Sequence, residues 1–228
     1  MARTIGGLGV ALAALCAGCG GPTPTTHEGG FWVPDEGRIV DLSHASEGAT
    51  TTIAAPGSIA QLEPGHLVAP LVVIDVVLRR KESAEFAFSA DDLAEYEGRE
   101  LPIPAGAFVV LRTGAGAGAG APVKSGRPEE ALRHPGFSAA VVDLLARQRG
   151  AVGFGSDAPA LDPTSAAAPI AREAALRAGR FVVTGLAGLD QVVGGRALAF
   201  VGAPLDAKGS APLRVLALVP RTVGTPSK

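Results

Sequence analysis

Residues 134–162, "HPGFSAAVVDLLARQRGAVGFGSDAPALD", encode a helix that feeds directly into a strand. Ser138 places a hydroxyl where the first helical amides have no partner, apolar residues then recur at helical spacing, and Gly150 closes the run. "AVGFGSD" (151–157) follows as a short strand. A helix joined so closely to a strand is the repeating unit of an α/β domain.

The alternation extends in both directions. Upstream, "HLVAPLVVIDVVL" (66–78) is a continuous apolar, β-branched run, expected as one buried strand. "SADDLAEYEG" (89–98) opens with Ser before two acids and closes on Gly, the start and stop signals of a helix. "GAFVVLRTG" (106–114) reads as a second buried strand. Downstream, "SAAAPIAREAALRAGR" (165–180) is expected as an Ala-rich helix with the strand "FVVTGL" (181–186) behind it. "RALAFVGAPL" (196–205) and "PLRVLALVP" (212–220) close the chain as strands. The expected architecture is a single compact α/β domain over 31–222, with mixed sheets and flanking helices, then a tail at 223–228.

Composition narrows the function classes. The 228 residues carry a formal net charge of −2 with no dense basic block, and aromatics are only 4%. Neither phosphate-backbone binding nor base stacking is indicated, so nucleic acid is not an expected partner. The first residues, "MARTIGGLGVALAALCAGC" (1–19), join Arg3 to an apolar run too short to span a bilayer and then to small residues, the pattern of an export signal. "AGC" (17–19) resembles a bacterial lipobox, with Cys16 where Leu is usual. Cys19 then becomes the lipidated first residue, and the Gly/Pro/Thr-rich residues 20–30 form a tether. The expected location is the cell envelope or periplasm, with membrane attachment through the lipid anchor alone. Both cysteines fall in this segment, which removes disulfides and thiolate metal sites from the domain.

Few residues carry chemistry. "RTGAGAGAGAP" (112–122) is Gly-rich after a strand, but it runs into prolines rather than into a helix with a phosphate-loop Lys, and reads as a flexible loop. His27, His44, His66 and His134 are the only histidines, and no two stand at metal-pair spacing. His44, in "DLSH", is the best single candidate; His66 and His134 read as surface or capping residues. Asp157 and Asp162, in "GSDAPALDP", read first as turn and helix caps and second as a functional carboxylate pair. Gly-x-Ser-x-Gly is absent around Ser156.

The order of these segments resembles the cyclase family, whose best-known members are the bacterial kynurenine formamidases. The resemblance covers most of the domain. "VDLSH" is similar to the family's opening strand, "IPAGAFVVLRTG" to its central strand, and "HPG…GFGSDAPALD" to its His-Pro-Gly, helix, Gly-x-Gly-x-Asp series. "FVVTGLAGLDQV" and "FVGAPLDAKGSAPLRVLAL" are similar to its closing segments. The resemblance implies a swivelling β/β/α fold, homodimers, and zinc- or manganese-dependent amide hydrolysis, N-formylkynurenine being the best-known substrate. It also implies ligands in a His-x-Gly-Thr-His-x-Asp-x-Pro-x-His motif, with a later His and Glu. Such ligands hold a divalent ion that acidifies water and polarises a carbonyl.

Laid on residues 48–58 with Pro56 as anchor, that motif finds other residues. Its first His falls on Gly48, its Gly on Thr50, its Thr on Thr51, its second His on Thr52, its Asp on Ala54 and its third His on Ser58. The later His falls near Arg172 and the Glu on Thr184. The segment between "DLSH" and the motif is also shorter than the family's. The expectation is a vacated metal site with no cofactor and a cleft lined by hydroxyls that binds a neutral small molecule or acts as a scaffold. The alternative is an arylformamidase-like hydrolase working through His44 with Asp157 or Asp162.

Overall fold

A computed structural model describes residues 37–44, 50–115, 133–194, 197–202, 204 and 208–220. The described residues fall within one unit, Glu36–Lys228. The export segment, Cys19, the tether, His27, Gly48, residues 116–132 and the tail lie outside the described residues.

The strands, in chain order, are β1 (Gly37–Asp41), β2 (Thr52–Ser58), β3 (Val68–Asp75), β4 (Ala87–Phe88), β5 (Phe108–Arg112), β6 (Gly136–Phe137), β7 (Gly153–Ser156), β8 (Phe181–Thr184), β9 (Ala197–Gly202), β10 (Lys208–Pro212) and β11 (Arg214–Pro220). The described α-helices are α1 (Val77–Glu82), α2 (Ala90–Arg99), α3 (Ala139–Gln148) and α4 (Ile170–Arg177). One nine-stranded sheet runs β1-β11-β9-β3-β5-β7-β8-β2-β10, and β4 pairs with β6 apart from it. Its middle, β3-β5-β7-β8, is parallel, and the flanking strands are antiparallel. Parallel neighbours need crossovers, and α2, α3 and α4 lie in the three connections of that middle.

Two cores follow from the alternation of the strands. On the helical face, Val109, Leu111, Phe154 and Val182 pack with Leu93 of α2, Val141 and Leu145 of α3, and Ala171 and Ala174 of α4. On the other face, Phe108, Val110, Phe181 and Val183 pack with Val40, Val219, Ile53 and Ala211. Those last four come from strands near opposite margins of the sheet, so the sheet curls to enclose its second face. Phe108 and Phe181 meet there at 5.3 Å between ring centroids. Gly153 makes room for this pair, because a Cβ on it would lie 2.2 Å from the Phe181 ring.

The expected single α/β domain with mixed strands is what the chain forms, with two local corrections. Residues 66–78 are not one buried strand. Pro64–Leu67 is a 3-10 turn, the strand is Val68–Asp75, and Val77 already starts α1. The Asp75 carboxylate ends it by accepting from Val77 N–H at 2.9 Å. Its first half alternates in burial, with Val68 45% exposed, because only one sheet face is covered there. The Ala-rich helix is also shorter than 165–180. It begins only after Pro169, whose ring disfavours helical geometry in Ala168, so residues 165–169 form a loop instead.

Candidate functional site

Thr52 on β2 and Thr184 on β8 are register partners across an antiparallel ladder, and their hydroxyl oxygens lie 3.1 Å apart. Arg172 projects from the first turn of α4. The start of that helix is held by Asp162, whose carboxylate accepts Ala171 N–H at 2.6 Å and Arg172 N–H at 3.1 Å. The loop carrying Asp162 lies directly on β6, since a Cβ on Gly136 would fall 2.3 Å from the carbonyl carbon of Asp162. His134 precedes β6 and is clamped by Thr164, whose hydroxyl accepts its N–H at 2.9 Å and whose N–H donates to its carbonyl at 3.0 Å. Thr52, Thr184, Arg172, Asp162 and His134 thereby line one cleft of about 530 Å³, closed on its apolar side by prolines and alanines of 159–169.

The charges in this cleft are uneven. Asp162 is buried and spends both oxygens on the start of α4. Arg172 is half-buried, and its guanidinium has no acidic or carbonyl partner among the described residues. His134 is buried. Burial, with Arg80 nearby, holds its pKa below the ordinary imidazole value, and the carbonyl of Pro135 opposes this only in part. The ring is therefore neutral near pH 7. A carbonyl can only accept, so Nδ1–H donates to Pro135 O at 3.1 Å and the lone pair rests on Nε2.

Three of the positions carried over by resemblance, Thr52, Arg172 and Thr184, come from distant segments and meet in this cleft. The others stand apart. Ala54 lies on the face of Thr52 but is 5% exposed and pairs in register with Val182, under α4. Ser58 is six residues along β2 from Thr52, roughly 20 Å away at strand rise, and caps the turn Ile59–Gln61 through Ala60 N–H. Thr51 is buried and donates to the Gly185 carbonyl at 2.6 Å while accepting the His44 N–H at 3.0 Å, so it ties β2 to the "DLSH" loop. Thr50 is exposed, and neither it nor His44 lines the cleft. Asp157 is buried away from it and accepts Thr113 N–H, Thr113 Oγ1–H and Gly114 N–H at 2.6–2.7 Å. Among the described residues neither Asp157 nor Asp162 hydrogen-bonds His44; Asp162 is occupied by two backbone amides, and Asp157 by two amides and the Thr113 hydroxyl.

His134 is the residue that the sequence placed wrongly. It was expected at the surface or as a cap, yet it is 4% exposed and borders the cleft. The loop that buries it is some 30 residues away, and only the shared His-Pro-Gly could have pointed to it.

A divalent ion is the group the fold family implies, and the donors do not suit one. The cleft offers three neutral hydroxyls (Thr52, Thr164 and Thr184), one engaged carboxylate and one imidazole, beside a cation that would repel the ion. Among the described residues no three His, Cys, Asp or Glu side chains gather as a ligand set.

The curled mixed sheet with this cleft beside β2, β8 and α4 has the fold of several solved hydrolases. An isatin hydrolase bound to the product analogue thioisatinate aligns with a TM-score of 0.67 at 23% identity, over 82% of this chain and 83% of that one. Isatin hydrolase A from Ralstonia solanacearum aligns at 0.62 and 26%, over 86% and 88%. A potential metal-dependent hydrolase with cyclase activity aligns at 0.61 and 19%, over 80% and 98%. Among curated proteins none matches the sequence. The Cyclase family model matches residues 23–163, and the chain belongs to that family.

Proposed function

We propose that this chain is a non-catalytic member of the Cyclase family, exported and lipid-anchored through Cys19, whose cleft binds a small organic molecule without a metal. One observation carries the reading. Thr52, Arg172 and Thr184 stand where the family resemblance puts metal ligands, converge in one cleft, and have no metal-ligating side chain among them. Two hydroxyls and a guanidinium can hold a ligand by hydrogen bonds and charge, but they cannot acidify water as a bound ion does. The test is hydrolysis of isatin and of N-formylkynurenine by the chain from residue 20 onward, with zinc or manganese added. No turnover above buffer is expected; metal-dependent turnover overturns the reading.

A hydrolytic reading has one observation in its favour. His134 is neutral, with its Nε2 lone pair unpartnered among the described residues, which is the state of a general base. It would place this chain with its solved neighbours as a hydrolase of non-standard residues. Turnover that is abolished by His134→Asn would decide for it.

A further inference from the structure

The inference concerns the ligand of the same cleft and rests on the binding reading above. We infer that the cleft takes a small organic carboxylate, with its oxygens on the Arg172 guanidinium and the Thr52–Thr184 hydroxyl pair and its apolar body against the proline- and alanine-lined wall.

The argument begins with the charge. Arg172 is half-buried and lines a cavity in which its guanidinium makes no ion pair among the described residues; the one carboxylate lining the same cavity, Asp162, keeps its negative charge but has both oxygens taken by the amides of Ala171 and Arg172. A partly desolvated cation without an ion-pair partner favours an anion, and the planar fork of Arg matches a carboxylate with two parallel hydrogen bonds. The hydroxyl pair adds one more donor. Thr52 and Thr184 each carry one hydroxyl proton, one of which is used between them at 3.1 Å, so the other can point at a ligand oxygen.

The rest of the cleft limits which anion fits. One cation and one hydroxyl donor suit a single negative charge better than a phosphate dianion. The wall of Pro159, Ala160, Leu161, Pro163 and Pro169 is apolar, and the volume of about 530 Å³ is that of a small-molecule pocket. The Nε2 lone pair of His134 repels a carboxylate oxygen but accepts from an N–H or O–H on the ligand body. The neutral ligand expected from the threonines alone is therefore replaced by an acid, because Arg172 belongs to the same cleft as the threonines.

Isothermal titration of the chain from residue 20 onward tests this, with benzoate and hexanoate, the amide of each, and inorganic phosphate as probes. At least one acid should bind about tenfold or more tightly than its amide. Arg172→Gln should erase that preference and Arg172→Lys should retain part of it, with the melting temperature of both variants matching that of the parent. Four results overturn the inference: no binding of either acid, equal binding of acid and amide, phosphate binding tighter than both acids, or an unchanged preference in Arg172→Gln. Failure here leaves the non-metal reading standing, whereas metal-dependent turnover sinks that reading whatever the acids do.

Discussion

Thr52 and Thr184 face each other across the β2–β8 ladder with their hydroxyl oxygens 3.1 Å apart, two residues from segments 132 positions apart in the chain. A directly opposed antiparallel pair holds its Cβ atoms about 5 Å apart. That is a spacing from which two longer side chains could share an ion.

Restoring the ligands should therefore restore metal binding. The triple variant Thr52→His, Arg172→His, Thr184→Glu is expected to bind one Zn²⁺ per chain with a Kd on the order of 1 μM or tighter, where the parent binds none. Native mass spectrometry after zinc titration reads the stoichiometry. A folded triple variant that gains no ion would mean that these three positions do not converge as described.

Asp157 should behave as a structural acid. Its carboxylate satisfies Thr113 and Gly114 at the end of β5, where Thr113 is fully buried. Asp157→Ala leaves the buried Thr113 amide, the part-buried Gly114 amide and the Thr113 hydroxyl proton without their acceptor, and is expected to cost about 3 kcal/mol in urea unfolding. Carboxylate binding in the surviving folded fraction should be unchanged, because Asp157 does not line the cleft.

His134 should give the fold an acid-side weakness. Its folded pKa is lowered by burial, so the unfolded chain takes up the proton first as pH falls. Stability is then full above the unfolded imidazole value of about 6.5, and declines from there down to the lowered folded value. Denaturant midpoints measured from pH 8 to 5 should fall in the parent and fall less in His134→Asn. Parallel profiles would remove this cause.

Glu97 acts in the same direction at lower pH. Arg149 donates to both of its oxygens, at 2.9 and 2.7 Å, joining α2 to the end of α3, and that pairing lowers the Glu97 pKa. Its contribution is present above the unfolded carboxyl value of about 4.3 and is lost as pH falls through the folded one. With Arg149 about one-third exposed, solvent screens the pair, and Glu97→Gln should cost about 1 kcal/mol or less at pH 7. Urea unfolding should show the loss at pH 7 and little difference at pH 3.

Anchoring has a separate readout. Cys19→Ser should move the protein from the membrane fraction to the soluble one after cell fractionation. Retention in membranes would argue against lipidation at Cys19.

How far the sequence revealed all this depends on where each signal lies. α2 and α3 were legible because Ser89 and Ser138 cap them locally, and both caps are made. β5 was legible because its residues 108–111, buried on both faces, are all apolar. β2 was not, since "TIAAPGS" holds Pro56 and Gly57 and reads as a loop. It becomes a strand only through its neighbours β8 and β10, both more than 120 residues away. β10 itself and the two-residue strands β4 and β6 have no sequence period long enough to register. The cleft was legible only through family resemblance. That resemblance brought Thr52, Arg172 and Thr184 together but also named Ser58, which strand geometry carries away, and it passed over His134, which long-range packing buries.

The central claim is that the cleft occupies the place of a metal site and is not one. Elemental analysis tests it most directly, on the chain from residue 20 onward purified from cells supplied with zinc and manganese. The account predicts metal far below one ion per chain, unchanged by Arg172→Gln. One tightly held zinc or manganese ion per chain, surviving dialysis, would contradict it.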